Sequence, residues 1–185
     1  MSFYLLYRRK LFVKNIEIIP LYEIRADGVE IRLGDSSNKV KTALGGEPYG
    51  TREDSLYYYN NELRIDFIAD SVEFIEFLGG IDGELQPVIY GVPAFQTNAD
   101  TLYDILTKEN EGMIDDNEDG YSYGFCEISV GVYRESTTES VQEMIDDAKE
   151  NGEPLDEDDI AEETRRASHL DTIGIGVKNY YKRVI

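Results

Sequence analysis

Asp115, Asn117 and Asp119 stand at every second position and are followed at once by Gly120. Oxygen ligands at the first, third and fifth positions, with glycine at the sixth, form the opening half of a calcium loop, where hard oxygens surround the ion and glycine allows the sharp turn. The second half departs from that pattern. Position twelve, which needs a bidentate glutamate, is Cys126, and Glu127 comes one residue late. Ser122 stands at position eight, where an apolar residue is usual, and Tyr121 to Phe125 reads as a strand. The expectation is a solvated acidic turn, with calcium on Asp115, Asn117 and Asp119 as the alternative.

Nucleophilic and metal chemistry find little else to work with. Cys126 is the only cysteine, and its place between Phe125 and Ile128 in an expected strand makes it a small core residue. His169 is the only histidine and has no second His or Cys near it in sequence, so a zinc site is not expected. A spatial pairing of Cys126 with His169 stays open. Gly45-Gly46 lacks the Lys and Ser/Thr of a phosphate-binding loop. Tyr57-Tyr58-Tyr59 and Tyr180-Tyr181 could stack on bases, but such platforms need a positive groove, and strand packing is their expected use. Neither a cofactor nor an enzymatic activity is expected.

Charge is the stronger signal. Of 38 acidic residues, 20 fall between Glu109 and Glu163, where Arg134 and Lys149 are the only bases, so this stretch carries −18 of the chain's net −20. Elsewhere 18 acids face 16 bases. A near-neutral domain with one acidic segment presents a surface to something positive. An apolar fraction of 41% with 14 Tyr and 7 Phe provides for a core and excludes an acidic disordered chain. A single cysteine fits a reducing compartment. The start, Phe3 to Lys10, places its charges after a very short apolar run and is not read as a secretory signal. No run approaches the roughly 20 apolar residues of a membrane span. With a pI near 4.3 the chain is expected to avoid nucleic acid and anionic membranes.

The elements that must carry this charge read as α+β, in two similar strand–helix–antiparallel-meander units, 1–85 and 86–185. In the first, Ile16–Pro20, Tyr22–Arg25 and Val29–Leu33 are short strands. Gly34-Asp35-Ser36 starts a helix through Val40, Ala43 and Leu44, and Gly45-Gly46 stops it. Leu56–Tyr59, then Leu63, Ile65 and Phe67, then Val72, Phe74, Ile75 and Phe77 form a meander with turns at Asn60-Asn61 and Ala69-Asp70. Gly79-Gly80 and Asp82-Gly83 close the unit. In the second, Val88–Val92 is a strand. Asn98 or Thr97 caps a helix through Leu102, Ile105 and Leu106 that ends at Gly112. Tyr121–Phe125, then Ile128, Val130 and Val132, then Ile173, Ile175 and Val177 repeat the meander. An α+β domain with two similar-looking hairpins is the alternative.

The repeat exposes an insertion at 135–168, where the first unit has a tight turn. Hairpin loops usually run about 2–5 residues. Ser136-Thr137-Thr138-Glu139 fits a capping box, and Val141, Met144, Ile145 and Ala148 then share one face. Asn151-Gly152-Glu153-Pro154 breaks that helix. A second runs from Asp156 to about Arg166 and buries little beyond Leu155, Ile160 and Ala161. The pattern predicts a helical hairpin projecting from a sheet edge. Glu143–Asp147 and Asp146–Glu150 are like-charge i,i+4 pairs, each costing an isolated helix about 0.2–0.5 kcal/mol. Solubility does not require that cost, because mixed charges serve it equally well. A merely solvated face remains the alternative to a docking surface.

The run Ile31-Arg32-Leu33-Gly34-Asp35-Ser36-Ser37-Asn38-Lys39-Val40-Lys41-Thr42-Ala43-Leu44-Gly45-Gly46-Glu47-Pro48 resembles a small-domain signature found in the lipoproteins of the outer-membrane barrel-assembly machinery. There a strand ending in Leu-Gly leads into a capped helix ending in Val-x-x-x-Leu-Gly-x-Pro; here one extra residue separates Gly45 from Pro48. The likeness implies a helix packed on an antiparallel sheet. In total character the chain resembles immunity proteins of bacterial polymorphic and contact-dependent toxin systems. Those are small, cytoplasmic, acidic α+β proteins, often of repeated domains, that typically neutralise basic nuclease toxins.

The resulting expectation is a cytoplasmic immunity or antitoxin protein, a monomer or weak dimer, that binds a basic toxin domain, a nuclease by that resemblance. The expected contact residues are Glu143, Asp146, Asp147, Glu150, Asp156, Asp158 and Asp159, with Tyr121 and Tyr123 as aromatic anchors. A DNA-mimic inhibitor of a nucleic-acid enzyme and a non-catalytic calcium-binding module are the alternatives.

Overall fold

A computed structural model describes residues 15–26, 28–116, 118, 120–153 and 155–183. The Phe3–Lys10 start lies outside them. The first strands, β1 (Asn15–Ile19), β2 (Glu23–Ala26) and β3 (Val29–Arg32), form an antiparallel meander in which β1 buries Ile16 and Ile18 in alternation. Helix α1 (Ser37–Leu44) follows. The Ser36 hydroxyl accepts from the Lys39 amide, and Gly45, at φ +81°, takes the left-handed turn that ends the helix. Then come β4 (Gly50–Arg52), β5 (Ser55–Tyr58), β6 (Leu63–Ile68) and β7 (Ser71–Phe77). Asn60 and Asn61 (φ +55° and +69°) turn β5 into β6, and Ala69 and Asp70 (φ +49° and +58°) turn β6 into β7. Such paired positive φ values match the right-handed twist of the flanking strands.

The second half repeats this order with local corrections. Val88–Val92 is not one strand: Tyr90 and Gly91, at φ +50° and +81°, fold it into a hairpin of β8 (Gln86–Ile89) and β9 (Val92–Pro93). Helix α2 (Ala99–Asn110) is capped by Asn98, whose side chain accepts from the Asp100 and Thr101 amides. It ends at Glu111 (φ +47°), one residue before the expected Gly112. Next are β10 (Ile114–Asp115), β11 (Ser122–Phe125) and β12 (Val130–Tyr133). Ile128 therefore lies in the β11–β12 turn. The last strand is β13 (Thr172–Gly176). Sequence reading missed β4 and β10, whose two or three residues are too few to show a period.

Two sheets result. The smaller has the order β3-β2-β1-β8-β9, with β1 and β8 parallel; the larger has the order β10-β11-β12-β13-β7-β6-β5-β4 and is antiparallel throughout. Each half thus runs from antiparallel strands, three in the first and two in the second, through a helix to a four-strand meander, and the four-strand meanders meet at the central β7–β13 pair. One continuous core lies between the layers. It joins Leu63, Ile65, Ile75, Phe77, Val130, Ile173 and Ile175 of the large sheet to Ile16, Ile24 and Ile89 of the small one and to Val40, Leu102 and Leu106 of the helices.

The two units anchor their helices in equivalent ways. The first helical amide of α1, Ser37, donates to Asp70 Oδ1 in the β6–β7 turn at 3.0 Å. The first helical amide of α2, Ala99, donates to the Ser168 carbonyl in the β12–β13 link at 2.9 Å. Each is one of the orphan donors at a helix start.

Candidate interaction surface

The 135–168 insertion holds two helices, α3 (Thr138–Glu150) and α4 (Glu157–Ala167). The capping box lies one residue later than Ser136–Glu139 suggests. Thr137 Oγ1 accepts from the Ser140 amide at 3.1 Å, and Ser140 Oγ accepts from the Thr137 amide at 2.9 Å. Asp156 caps α4 by accepting from the Asp158 amide at 2.9 Å. Val141 and Ile145 of α3 pack with Ala167 of α4, and Ile160 lies against them. Met144 and Leu155, expected inside, are 41% and 37% exposed, and Ala161 is exposed too. The hairpin does not leave a sheet edge. It connects β12 to β13, neighbours in the interior of the large sheet, and rises from that sheet's end.

All seven carboxylates expected on this arm, Glu143, Asp146, Asp147, Glu150, Asp156, Asp158 and Asp159, are exposed. The connection spans only residues 151–156, so the C-terminal turn of α3 and the N-terminal turn of α4 meet at the tip. Asp146, Asp147 and Glu150 oppose the dipole of α3 there, while Glu157, Asp158 and Asp159 suit the start of α4. At the tip Lys149 lies 3.8 Å from Asp146. Arg165 and Arg166 sit at the other end, engaged by Glu162 and Asp82.

The expected aromatic anchors, Tyr121 and Tyr123, belong to the body beside the arm's root and are both partly buried. Tyr123 is partly buried and packs against the core: its centroid is 4.6 Å from that of Tyr103 and 6.5 Å from that of Phe125, and burial raises its hydroxyl pKa. Tyr121 is half-buried in the body, where its carbonyl accepts from the Arg134 amide at 2.9 Å.

The acidic turn is braced from within. Asp115 is a strand residue paired with Gly124, and Asp116 Oδ1 accepts from the Gly120 amide at 3.1 Å. Arg134, largely buried, donates from Nε to the Gly120 carbonyl at 2.9 Å and pairs with Asp100 at 3.2 Å. Asn117 and Asp119 lie outside the described residues. Among the described residues no group of three or more His, Cys, Asp or Glu side chains is arranged to hold a metal ion. Cys126 is buried just after β11, its thiol raised by that burial. His169 Nδ1 lies 2.7 Å from the Arg165 carbonyl.

A second surface escaped sequence reading. On the outer face of the large sheet one lateral row runs Asp115, Gly124, Gly131, Gly174, Glu76, Arg64, Tyr57, Gly50. The three adjacent glycines leave a trough. Tyr181 lies in it, against Gly124 and Gly131, and Tyr180 stacks on Phe74 with centroids 4.7 Å apart. Beside the trough Arg64 pairs with Glu76 at 3.0 Å and Asp66 at 3.1 Å, and the Thr172 hydroxyl donates to Glu76 at 3.1 Å. Burial outweighs Arg64 and raises the Glu76 pKa. The signal for the trough was one glycine between two apolar residues in each of three strands, Tyr123-Gly124-Phe125, Val130-Gly131-Val132 and Ile173-Gly174-Ile175.

No family model matches this chain, and neither a curated protein nor a solved structure matches it. No described helix is long and apolar enough to cross a membrane.

Proposed function

We propose that this chain is a non-catalytic inhibitor that docks a basic protein domain through the α3–α4 arm, as a cytoplasmic immunity or antitoxin protein does against a nuclease toxin. The observation that supports this reading is the convergence of seven exposed carboxylates on one two-helix arm, with Lys149 as the cation among them. Such a tip steers a cationic partner from a distance and raises its association rate. Once docked, the carboxylates cover the lysines and arginines with which a nuclease holds phosphates, so inhibition requires no bond to be made or broken. Met144 and Leu155, exposed within the acidic surface, supply the apolar contacts that lengthen the complex's lifetime.

The test is binding to a panel of basic nuclease domains, measured against salt concentration. Reversing Asp146, Asp147, Glu150, Asp158 and Asp159 to lysine is expected to abolish both tight binding and its salt dependence. Unchanged affinity and salt slope would remove the arm as the docking surface.

A further inference from the structure

We infer that the α3–α4 arm is a hinged unit, latched to the body by Asp82 through Arg165 and Arg166 of α4.

The arm has its own small apolar cluster, Val141, Ile145 and Ala167 with Ile160, separate from the main core. Its roots are tied down. The Asp171 amide donates to the Tyr133 carbonyl at 2.9 Å, the Glu135 amide to Asp171 Oδ2 at 2.6 Å, and the Ala99 amide to the Ser168 carbonyl at 2.9 Å. Beyond those roots the hydrogen bonds and ion pairs between described side chains of arm and body run through Asp82. Its two carboxylate oxygens lie 2.8 and 3.0 Å from Arg165 Nη2, and Arg166 Nη2 is 3.6 Å away. From the arm side Glu162 holds both guanidiniums, at 2.8 Å to Arg165 and 2.9 Å to Arg166.

The post that carries Asp82 is a tightly folded turn, and the space beneath the latch is not filled. Asp82 ends a short 3-10 turn, Gly80–Asp82, flanked by Gly79 and Gly83, whose backbones pack so closely that a Cβ on Gly83 would lie 2.6 Å from the Gly79 Cα. Between post and arm lies a cleft of about 500 Å³ lined by polar groups, among them Asp82, Glu135, Glu163, Arg166 and Asp171. Ile81 is the one large apolar side chain in that lining, so mostly polar walls around open space give the closed position little of the apolar burial that would hold it. The latch groups are substantially exposed, 56% for Asp82 and 37% for Arg165, so salt screens them and a competing cation reaches them. The link is therefore strong enough to orient the arm at low ionic strength and weak enough to be released. A lysine or arginine offered from outside competes for Asp82 and Glu162 with the arm's own arginines.

This inference needs no knowledge of the partner, and its test uses the chain alone. Spin labels are placed on cysteines at Asp147 in α3 and Thr107 in α2, in a Cys126→Ala background, and their separation is measured by pulsed dipolar spectroscopy. At low salt one narrow distance is expected. Asp82→Ala is expected to abolish that narrow peak while far-UV circular dichroism stays unchanged. The unmutated latch at about 1 M salt, where the Debye length is about 3 Å, is expected to do the same. The pair Arg165→Gln, Arg166→Gln opens the latch from its other side should Asp82→Ala perturb folding. A narrow peak that survives Asp82→Ala or the arginine pair overturns the inference, and so does a broad distribution in the latched chain at low salt.

Discussion

Tyr181 lies against the bare backbone of Gly131, so closely that a Cβ on that glycine would overlap the tyrosine hydroxyl. The two residues are far apart in sequence and belong to a strand and to the 3-10 turn Tyr181–Arg183. Gly131→Ala is therefore expected to destabilise the fold by about 1–3 kcal/mol, the usual cost of overfilling a packed site. In a Tyr181→Ala background the same change should cost less, and the two costs should differ by more than about 0.5 kcal/mol, the limit within which uncoupled sites add. Urea unfolding of the four proteins in this cycle measures the coupling; equal costs in both backgrounds would show that the ring does not fill the trough.

The start of α3 rests on Thr137 rather than Ser136. Thr137→Ala should cost about 1 kcal/mol, because it removes an N-cap acceptor and one half of a capping box. Ser136→Ala should be close to neutral. Amide exchange across residues 138–142 distinguishes the two, since only the Thr137 change is expected to speed it.

Arg64 faces two carboxylates on the outer sheet face, at 3.0 Å from Glu76 and 3.1 Å from Asp66. Removing the cation leaves two largely buried acids side by side with no opposite charge, Glu76 keeping only the hydrogen bond from Thr172. Removing Glu76 leaves Arg64 paired with Asp66. Arg64→Met is accordingly expected to cost about 2 kcal/mol, reduced from the fully buried case because Arg64 keeps some exposure, and Glu76→Gln under about 1 kcal/mol. Chemical denaturation at neutral pH decides; a larger loss for Glu76→Gln contradicts the arrangement.

Glu162 gives the arm its acid limit. Hydrogen bonds from Arg165, then from Arg166, lower its pKa from the ordinary 4.5 to about 2. A carboxylate depressed in the folded state stabilises fully above its unfolded pKa, and that stabilisation fades as pH falls through the folded value. The contribution should therefore be intact above about pH 5 and decline between pH 4.5 and about 2. A carbon-detected NMR titration of the Glu162 carboxyl reads this directly, and a midpoint near 4.5 would show that the Arg165–Glu162–Arg166 cluster does not form in solution.

Much of the local structure was legible because its causes are local. Leu63, Ile65 and Phe67 alternate with Arg64 and Asp66, and a period of two states a half-buried strand wherever it occurs. Ser36, Gly45 and Asn98 cap helices through bonds to amides or carbonyls a few residues away. The insertion was visible because the second meander lacks the tight turn that Ala69 and Asp70 make in the first. Its acidic tip followed from composition alone. The misreadings also have local reasons. Val88–Val92 looks continuous because the Tyr90–Gly91 turn is only two residues long, and Tyr123 looks available because alternation does not say which face of a strand is covered.

By itself, then, the sequence determined the element types, the turns, the existence of the arm and the residues that charge it, since each depends on neighbours within a turn or two. The tertiary structure alone decided where the arm stands, that Asp82 meets Arg165 across 83 residues, and that three glycines line up in a trough covered by Tyr181 at Gly124 and Gly131 and by Phe74 at Gly174. Those relations depend on strand register, which comes from the summed packing of many distant side chains on the core face. A slip of one residue would leave every local pattern intact and turn the glycine trough inward.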